Sequence, residues 1–358
     1  MNRTLRTSLI SMVAGGAIIA IPAVALGAAT GSGASFPATA YSAWCQESGL
    51  CSYTSKGSTG GINDLINGVV DFAASDAPLT PQQLSDLASK RGGATPLYFP
   101  TLIGAITVPT NIDGVSGNIN LDGSTLAGIF QGTIASWNDA RIRKANPGVR
   151  FPGASITKCV RSDGSGTSFG FTSYLSKVSS SFRAAIGASQ QPPWPSSGVV
   201  KGTRNPGVAA CIKSNSNSIG YVDISDARDA GLTAKFSKIG KNETVKKNGK
   251  RQRVVKYILP SSGSASKAAN LPRFKSDLTV SLTASPAKGA YPITITTWML
   301  AYSNYSAAGK SSASRDSVKK VLNYVYSSAA QGSLRELRFA PLPSGLVTAA
   351  KAQIKKIK

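Results

Sequence analysis

Histidine is absent from this chain of 358 residues. Without an imidazole, the chain cannot form a Ser-His-Asp triad, a Cys-His dyad or an HExxH zinc site. Acidic residues are scarce as well, since 16 Asp and Glu stand against 40 Lys and Arg. These absences exclude the common hydrolase designs, and we expect neither a metal site nor a cofactor.

Long apolar runs are also missing beyond the N-terminus. No later segment approaches the ~20 consecutive apolar residues that a membrane-spanning helix needs. Residues 1–29 combine Arg3 and Arg6, an apolar run and small-residue cleavage sites, and so predict a signal peptide. An uncleaved membrane anchor is the alternative, which Pro22 disfavours. The signal peptide predicts an exported protein, in the periplasm, at the cell surface or outside the cell. Because no cysteine follows the apolar run, we expect no lipid anchor.

The chain has only four cysteines, Cys45, Cys51, Cys159 and Cys211. A zinc site is disfavoured because CxxC spacing and histidine are both missing. Export into an oxidising compartment favours disulfides instead. Cys45 and Cys51 are near enough in sequence for a short loop, which leaves Cys159–Cys211 for a longer one. Four cysteines allow three pairings, however, and the sequence does not choose among them.

Positive charge is what the chain has in excess, with a formal net charge of +24. Such a balance favours anionic partners, namely phosphate, nucleic acid or an acidic envelope polymer, although it also serves solubility. Nine Lys and Arg residues lie between Lys235 and Lys256, around an Asn248-Gly249 pair that predicts a β-hairpin turn. Phe236 is the one aromatic residue in this span, so we expect a solvated hairpin and no nucleic-acid partner.

The remaining sequence alternates between strand-like and helix-like segments, which predicts an α/β fold with enough residues for two lobes. Residues 261–272 predict an irregular connection.

Free amides and the helix dipole make helix starts that are rich in Ser, Thr and Gly suitable for a small anion. Ordinary N-capping is the alternative for each start taken alone. The chain has three such starts: Ser35-Phe36-Pro37, Ser58-Thr59-Gly60-Gly61 and Ser165-Gly166-Thr167-Ser168.

Two charged features separate these helix starts from plain capping. Asp76 ends the apolar segment "VDFAASD", where strands of α/β proteins commonly meet ligands, although it could instead cap the following turn. Arg161 precedes the third helix start, and Asp163 is near enough in sequence to orient its guanidinium. The alternative for that pair is a surface ion pair, worth about 0–1 kcal/mol.

Several long motifs occur in one order along the chain: "GSGASFPATAYSAW", "GSTGGINDLINGVVDFAASDAPLT", "LDGSTLAGIFQGTIASWND", "RSDGSGTSFGFTSYL" and "SIGYV". In this respect the chain resembles the periplasmic phosphate-binding proteins of high-affinity phosphate ABC transporters. The resemblance covers most of residues 30–225 and resumes at "YPITITTWML", while residues 226–288 match less well. It implies an α/β, two-lobed type II periplasmic-binding-protein fold with the ligand cleft between the lobes.

The resemblance also implies a division of the chain and a set of ligand-binding residues. Lobe one would comprise residues 30–103 and 291–358, and lobe two residues 104–290. Asp163 and Thr59 would have supporting roles. The protein would be a monomer without enzymatic activity that passes inorganic phosphate to the membrane permease of an ABC importer. Phosphate would be held by Ser35, Phe36, Ser58, Asp76, Arg161, Ser165, Gly166 and Thr167.

Other functions fit parts of the sequence. A phosphate-ester hydrolase would use Ser165 or Ser58 as its nucleophile, although the chain offers no histidine as a base. A polyanion-binding surface protein would use the basic span and the lysines of the C-terminal tail. Within the phosphate-binding fold, Asp76 disfavours sulfate and molybdate because it requires a proton on the ligand, whereas arsenate has that proton as phosphate does.

Overall fold

The structure is a computed structural model that describes residues 27–247, 250–270 and 274–358. The predicted signal peptide lies almost entirely outside the described residues, and the Asn248-Gly249 turn lies outside them as well. Within the described part of the chain, no helix combines the length and the apolar character that a bilayer span requires.

The strands are β1 Ala29–Gly33, β2 Cys51–Ser55, β3 Phe72–Ser75, β4 Pro96–Thr107, β5 Thr110–Asn111, β6 Asn120–Leu121, β7 Thr157–Arg161, β8 Val199–Gly202, β9 Ser218–Gly220, β10 Val222–Asp223, β11 Lys238–Lys247, β12 Lys250–Ile258 and β13 Thr294–Tyr302. The α-helices are α1 Ala38–Ser48, α2 Ser58–Ile66, α3 Pro81–Lys90, α4 Gly123–Gln131, α5 Ala140–Ala145, α6 Gly166–Val178, α7 Ser180–Ala185, α8 Arg204–Ser214, α9 Ile224–Asp229, α10 Ser262–Ala268, α11 Ser312–Val325, α12 Ser328–Ser333 and α13 Ser344–Ile354. A short 3-10 helix covers Thr233–Lys235.

The larger sheet has six strands in the order β10-β4-β13-β3-β1-β2. Strand β1 pairs in parallel with both β2 and β3, whereas β13 runs antiparallel to β3 and β4. All nine residues of β13 are buried, as expected for a β-branched and aromatic central strand covered on both faces. The predicted α/β fold is confirmed.

A second sheet of four strands, in the order β5-β9-β7-β8, forms the other layer that borders the cleft. Strand β7 is parallel to both of its neighbours. Residues 102–104, where the sequence predicts that the chain first crosses between lobes, lie within β4 and are paired with β13 in the larger sheet. The predicted lobe boundaries stay a prediction.

The basic span forms the predicted antiparallel pair of strands, in which Lys247 stands opposite Lys250. It joins a third sheet in the order β12-β11-β6. The cysteines pair as Cys45–Cys51 and Cys159–Cys211, one of the pairings that the sequence left open.

The prediction of an irregular connection over residues 261–272 is wrong for its first half. Helix α10 begins after Ser261, whose hydroxyl accepts from the Ser264 amide in a capping box. Ala265 and Ala268 are fully buried on one face of this helix. Small residues bury little area, so their helical spacing is a weak signal in the sequence, and packing against β4 decides the outcome.

Candidate functional site

The first two helix starts and Asp76 lie at one edge of the larger sheet. In the parallel strands β2, β1 and β3, Gly33 aligns with Ser55 on one side and with Ala74 on the other. The carboxyl ends of these three strands therefore adjoin. Ser35, Ser58 and Asp76 follow those ends, which is where ligands bind in open α/β sheets.

The third helix start lies at the matching edge of the four-stranded sheet. Arg161 is the last residue of β7 and pairs with Gly202, the last residue of the parallel strand β8. After a short turn, the Ser165 hydroxyl accepts from the Ser168 amide at 3.0 Å and caps α6. The amide ends of α2 and α6 are thus brought to one place.

Hydrogen bonds join the two edges across the cleft. The Ser58 hydroxyl accepts from the Gly166 amide at 3.0 Å and from the Asp76 amide at 3.3 Å. The Ser35 hydroxyl accepts from the Asn205 amide, also at 3.3 Å. Since Gly166 and Asn205 belong to the four-stranded side and the other residues to the six-stranded side, the cleft is closed.

All the predicted ligand-binding residues are buried in this closed cleft. The Phe36 ring packs against Phe339 in the core, with ring centroids 5.7 Å apart, so only its backbone amide remains for a ligand. The Thr59 hydroxyl donates to Gln190 at 2.9 Å, and its amide donates to the Gly164 carbonyl. Thr59 therefore holds the two sides together, which fits a supporting role.

Arg161 is fixed by three hydrogen bonds. Its Nε donates to the Asp163 carboxylate at 2.8 Å, a second guanidinium nitrogen bonds the other oxygen of Asp163, and the third donates to Asn205 Oδ1 at 2.8 Å. Although burial acts to raise the pKa of Asp163, the hydrogen bonds and charge of Arg161 lower it below its ordinary value. The guanidinium side chain is 1% exposed, so the surface ion pair considered for this motif is excluded.

Asp76 has a different environment from Asp163. Both of its carboxylate oxygens are buried and make no hydrogen bond within the described residues. Burial raises the pKa of Asp76 to about 7, and the charge of Asp223 adds to the increase. The charge of Arg161 and the nearby Thr297 and Thr167 hydroxyls act to lower it, although neither hydroxyl meets hydrogen-bond geometry with the carboxylate and that of Thr297 donates to the Ser75 carbonyl instead. Buried polar groups are normally paired, so this unpaired acceptor marks a place for a donor that the chain itself does not supply.

The Thr167 hydroxyl is likewise buried without a hydrogen-bond partner among the described residues. It belongs to the first turn of α6, beside the free amides of that helix. A ligand that accepts from this hydroxyl and donates to Asp76 would satisfy both orphaned groups.

Sequence reasoning missed Asn205, which links both sides of the cleft. In addition to its amide bond with Ser35, its side chain accepts from Arg161 and donates to Asp223 Oδ2 at 2.8 Å. Its neighbour Arg204 has a φ of 58°, in the left-handed region, and its amide donates to Asp163 at 2.9 Å. No local pattern in "TRNPG" distinguishes these residues from an ordinary turn before a helix.

Replacing Asn205 by Ala is expected to lower the free energy of unfolding by about 3 kcal/mol, because Arg161 and Asp223 each lose a hydrogen bond in a buried site. Urea denaturation of the ligand-free protein measures the change. Asn304→Ala is the control, since Asn304 accepts one bond from the Ala307 amide at an exposed position and should cost about 1 kcal/mol or less. Equal losses would show that the bonds of Asn205 to Arg161 and Asp223 do not stabilise the fold.

The serines considered as nucleophiles have no base in contact. The Ser58 hydroxyl accepts from two amides and the Ser165 hydroxyl from one, and neither oxygen bonds a carboxylate or an amine in the described part of the chain. Both are arranged as capping and positioning groups. The geometry gives no support to the hydrolase alternative.

Comparison with known proteins agrees with the geometry of the cleft. A family model described as a PBP superfamily domain matches residues 20–329. The phosphate-binding protein PstS of Xylella fastidiosa (strain Temecula1) is 34% identical over 326 residues, which are 89% of this chain and 82% of that protein. The phosphate-binding protein PstS of Haemophilus influenzae is 32% identical over 336 residues, which are 91% of this chain and 92% of that protein.

Solved structures share the fold at lower sequence identity. A high affinity periplasmic phosphate-binding protein (PfluDING) bound with phosphate has a TM-score of 0.71 at 20% identity, covering 91% of this chain and 93% of that one. A phosphate binding protein from Stenotrophomonas maltophilia has a TM-score of 0.69 at 20% identity, with the same coverage. The family model and the PstS relatives identify the family, and the solved structures share the two-lobed fold. The chain therefore belongs to the PBP superfamily and, within it, to the PstS family of phosphate-binding proteins.

Proposed function

We propose that this protein captures inorganic phosphate in the closed cleft and delivers it to the membrane permease of an ABC importer. The observation behind this proposal is the buried carboxylate of Asp76, which has no hydrogen-bond partner in the described residues and lies beside the amide ends of α2 and α6. An anion bound there would need to bring a proton of its own.

Phosphate meets that requirement. Both H₂PO₄⁻ and HPO₄²⁻ have a P–OH that can donate to Asp76, while their other oxygens accept from amides and hydroxyls at the helix starts and from Arg161. Sulfate has no proton at neutral pH, so it would bury two like charges side by side. The cleft residues named from the sequence are the proposed ligands: Ser35, Phe36, Ser58, Asp76, Arg161, Ser165, Gly166 and Thr167.

Delivery to a permease is supported by family membership, and the predicted signal peptide supports export to the periplasm or cell surface. In this proposal the two edges open to admit phosphate and close around it, because donors from both must reach the same ion. The protein acts as a binding protein and not as an enzyme.

Isothermal titration calorimetry of the mature protein at pH 8 tests this function. We expect one orthophosphate to bind per molecule, and no measurable heat from sulfate at the same concentrations. Small-angle scattering on the same samples should show a smaller radius of gyration with orthophosphate. Comparable binding of both anions, or no binding of orthophosphate, would refute the proposed function.

A further inference from the structure

A groove of about 710 Å³ lies away from the anion cleft, between the basic hairpin β11–β12, helix α5 and the end of α6. Its lining includes Arg141, Lys144, Tyr174, Val255 and Tyr257, and it shares no residue with the proposed phosphate ligands. Its binding properties can therefore be changed without changing the cleft.

The hairpin continues this groove as a strip of positive charge. In the β11–β12 register, Lys246 stands opposite Arg251 and Thr244 opposite Arg253, on the same face as the Asn242–Val255 pair that lines the groove. Because directly opposed like charges destabilise a β-ladder, the Lys246–Arg251 pair is a source of repulsion in this hairpin. This face of the hairpin extends about 20 Å from Gly240 to Lys246, at ~3.4 Å per residue, and its three cations lie at the Lys246 end, while Arg141 and Lys144 line the groove at the other end.

Nearby acidic groups do not neutralise this strip. Asp122 caps α4, Asp139 pairs with Arg141, and Glu243 accepts from the Gly289 amide on the opposite face of the hairpin. Within the described residues, no carboxylate lies within 4.0 Å of a nitrogen of Lys246, Arg251 or Arg253.

We propose that this groove and strip, which we call the basic groove, bind an extended polyanion with repeating phosphate groups. Arginines two residues apart on one strand face are spaced by about 6.8 Å, so Arg251 and Arg253 contact successive parts of a linear chain and not one small ion. Guanidinium groups bind phosphate oxygens in a bidentate geometry. The bound polymer removes the repulsion between the opposed cations and would hold the protein near a phosphate-rich surface.

The test measures binding of long-chain polyphosphate to the mature protein, with orthophosphate present to saturate the cleft. The triple variant Lys246→Gln, Arg251→Gln, Arg253→Gln should bind polyphosphate at least ~10-fold more weakly, because direct charge contacts dominate such binding. The slope of log affinity against log salt concentration should become less steep by about 2, because three contacts with the polyanion are lost and each contributes ~0.7 to the slope. Affinity for orthophosphate should not change, which also reports that the variant is folded.

The matched control removes the same number of charges elsewhere. Lys351, Lys355 and Lys356 are exposed at the C-terminal end of the chain, and their triple replacement by Gln should lower polyphosphate affinity less than ~2-fold. Equal losses in both triple variants would show a general charge effect and overturn the proposal. If the hairpin variant fails to bind orthophosphate, the single variants Arg253→Gln and Lys144→Gln replace it, each expected to weaken polyphosphate binding alone.

Two comparison ligands decide the nature of the polymer. Tripolyphosphate should bind much more weakly than long-chain polyphosphate, because it cannot reach from the hairpin cations to Arg141 and Lys144 in the groove. Equal affinity would mean a single-ion site. Tyr257 offers an aromatic face beside the cations, so single-stranded DNA is the alternative. Tighter binding of DNA than of polyphosphate, lost in Tyr257→Leu, would replace the proposal with nucleic-acid binding.

Discussion

At pH 8, Asp76→Asn is expected to lower the preference for phosphate over sulfate by about 10⁴-fold. The asparagine amide can donate to a sulfate oxygen, whereas the wild-type carboxylate can only accept. Competition calorimetry with both anions measures the ratio of affinities. Asp316→Asn on α11 is the control, because Asp316 is exposed and remote from the cleft.

The size of this effect follows from the cost of protonating Asp76. The reference is an aspartate in water, whose pKa is about 3.9, and we take this as the reference for a cleft that is open and hydrated. Closing on sulfate at pH 8 requires a proton to be added to that carboxylate, about four pH units above its pKa, which corresponds to about 10⁴ in affinity. Phosphate brings the proton itself and avoids this cost.

The same reasoning gives a pH dependence with a definite sign. As pH falls from 8 toward 5, more of the carboxyl group is protonated and can donate to sulfate, so the wild-type preference should decline by about tenfold per pH unit. Burial, which raises the pKa of Asp76 to about 7 in the closed cleft, favours the protonated form in the same direction. The Asn variant should show no such decline. If it excludes sulfate as strongly as the wild type, the carboxylate is not the selectivity element.

Gly166→Ala is expected to weaken phosphate binding by about 10- to 100-fold. A Cβ at this position would lie 2.5 Å from Ser58 Oγ, 2.6 Å from Asp76 Cβ and 2.8 Å from the Asp76 amide nitrogen. The Asp76 amide nitrogen is a backbone atom and Asp76 Cβ is bonded directly to the backbone, so neither can rotate away. The added methyl group therefore opposes closure of the cleft.

The fold of this variant should remain intact. Gly166 begins α6 with an ordinary helical backbone, so alanine is compatible with its own helix, and the clash arises only across the cleft. Scattering should show that the variant stays open at phosphate concentrations that close the wild type. Gly345→Ala in α13 is the control, since nothing lies within 4 Å of its added Cβ. Unchanged affinity in Gly166→Ala would mean that ligand capture does not need this close approach.

Much of the cleft was accessible from the sequence because each part has a local signature. Ser58 and Ser165 stand at helix starts, Asp76 follows a buried strand, and Arg161 precedes Asp163 by two residues. The structure brings all of them to one closed cleft.

Most helix and strand starts, the free amides at those starts and the residue types that stand there could be read from the chain alone, because they depend on neighbours only a few positions away. Helix α10 is an exception, since its small residues give a weak local signal. Three features became visible only in the folded molecule: Asn205 joins Ser35 to Arg161, Asp76 has no partner among the described residues, and Arg251 and Arg253 lie on the hairpin face that borders a groove. These properties depend on contacts between residues far apart in the chain, for example Ser58 and Gly166 at a separation of 108. Such contacts leave no periodic or local pattern, since they arise only when separately formed strands and helices pack together.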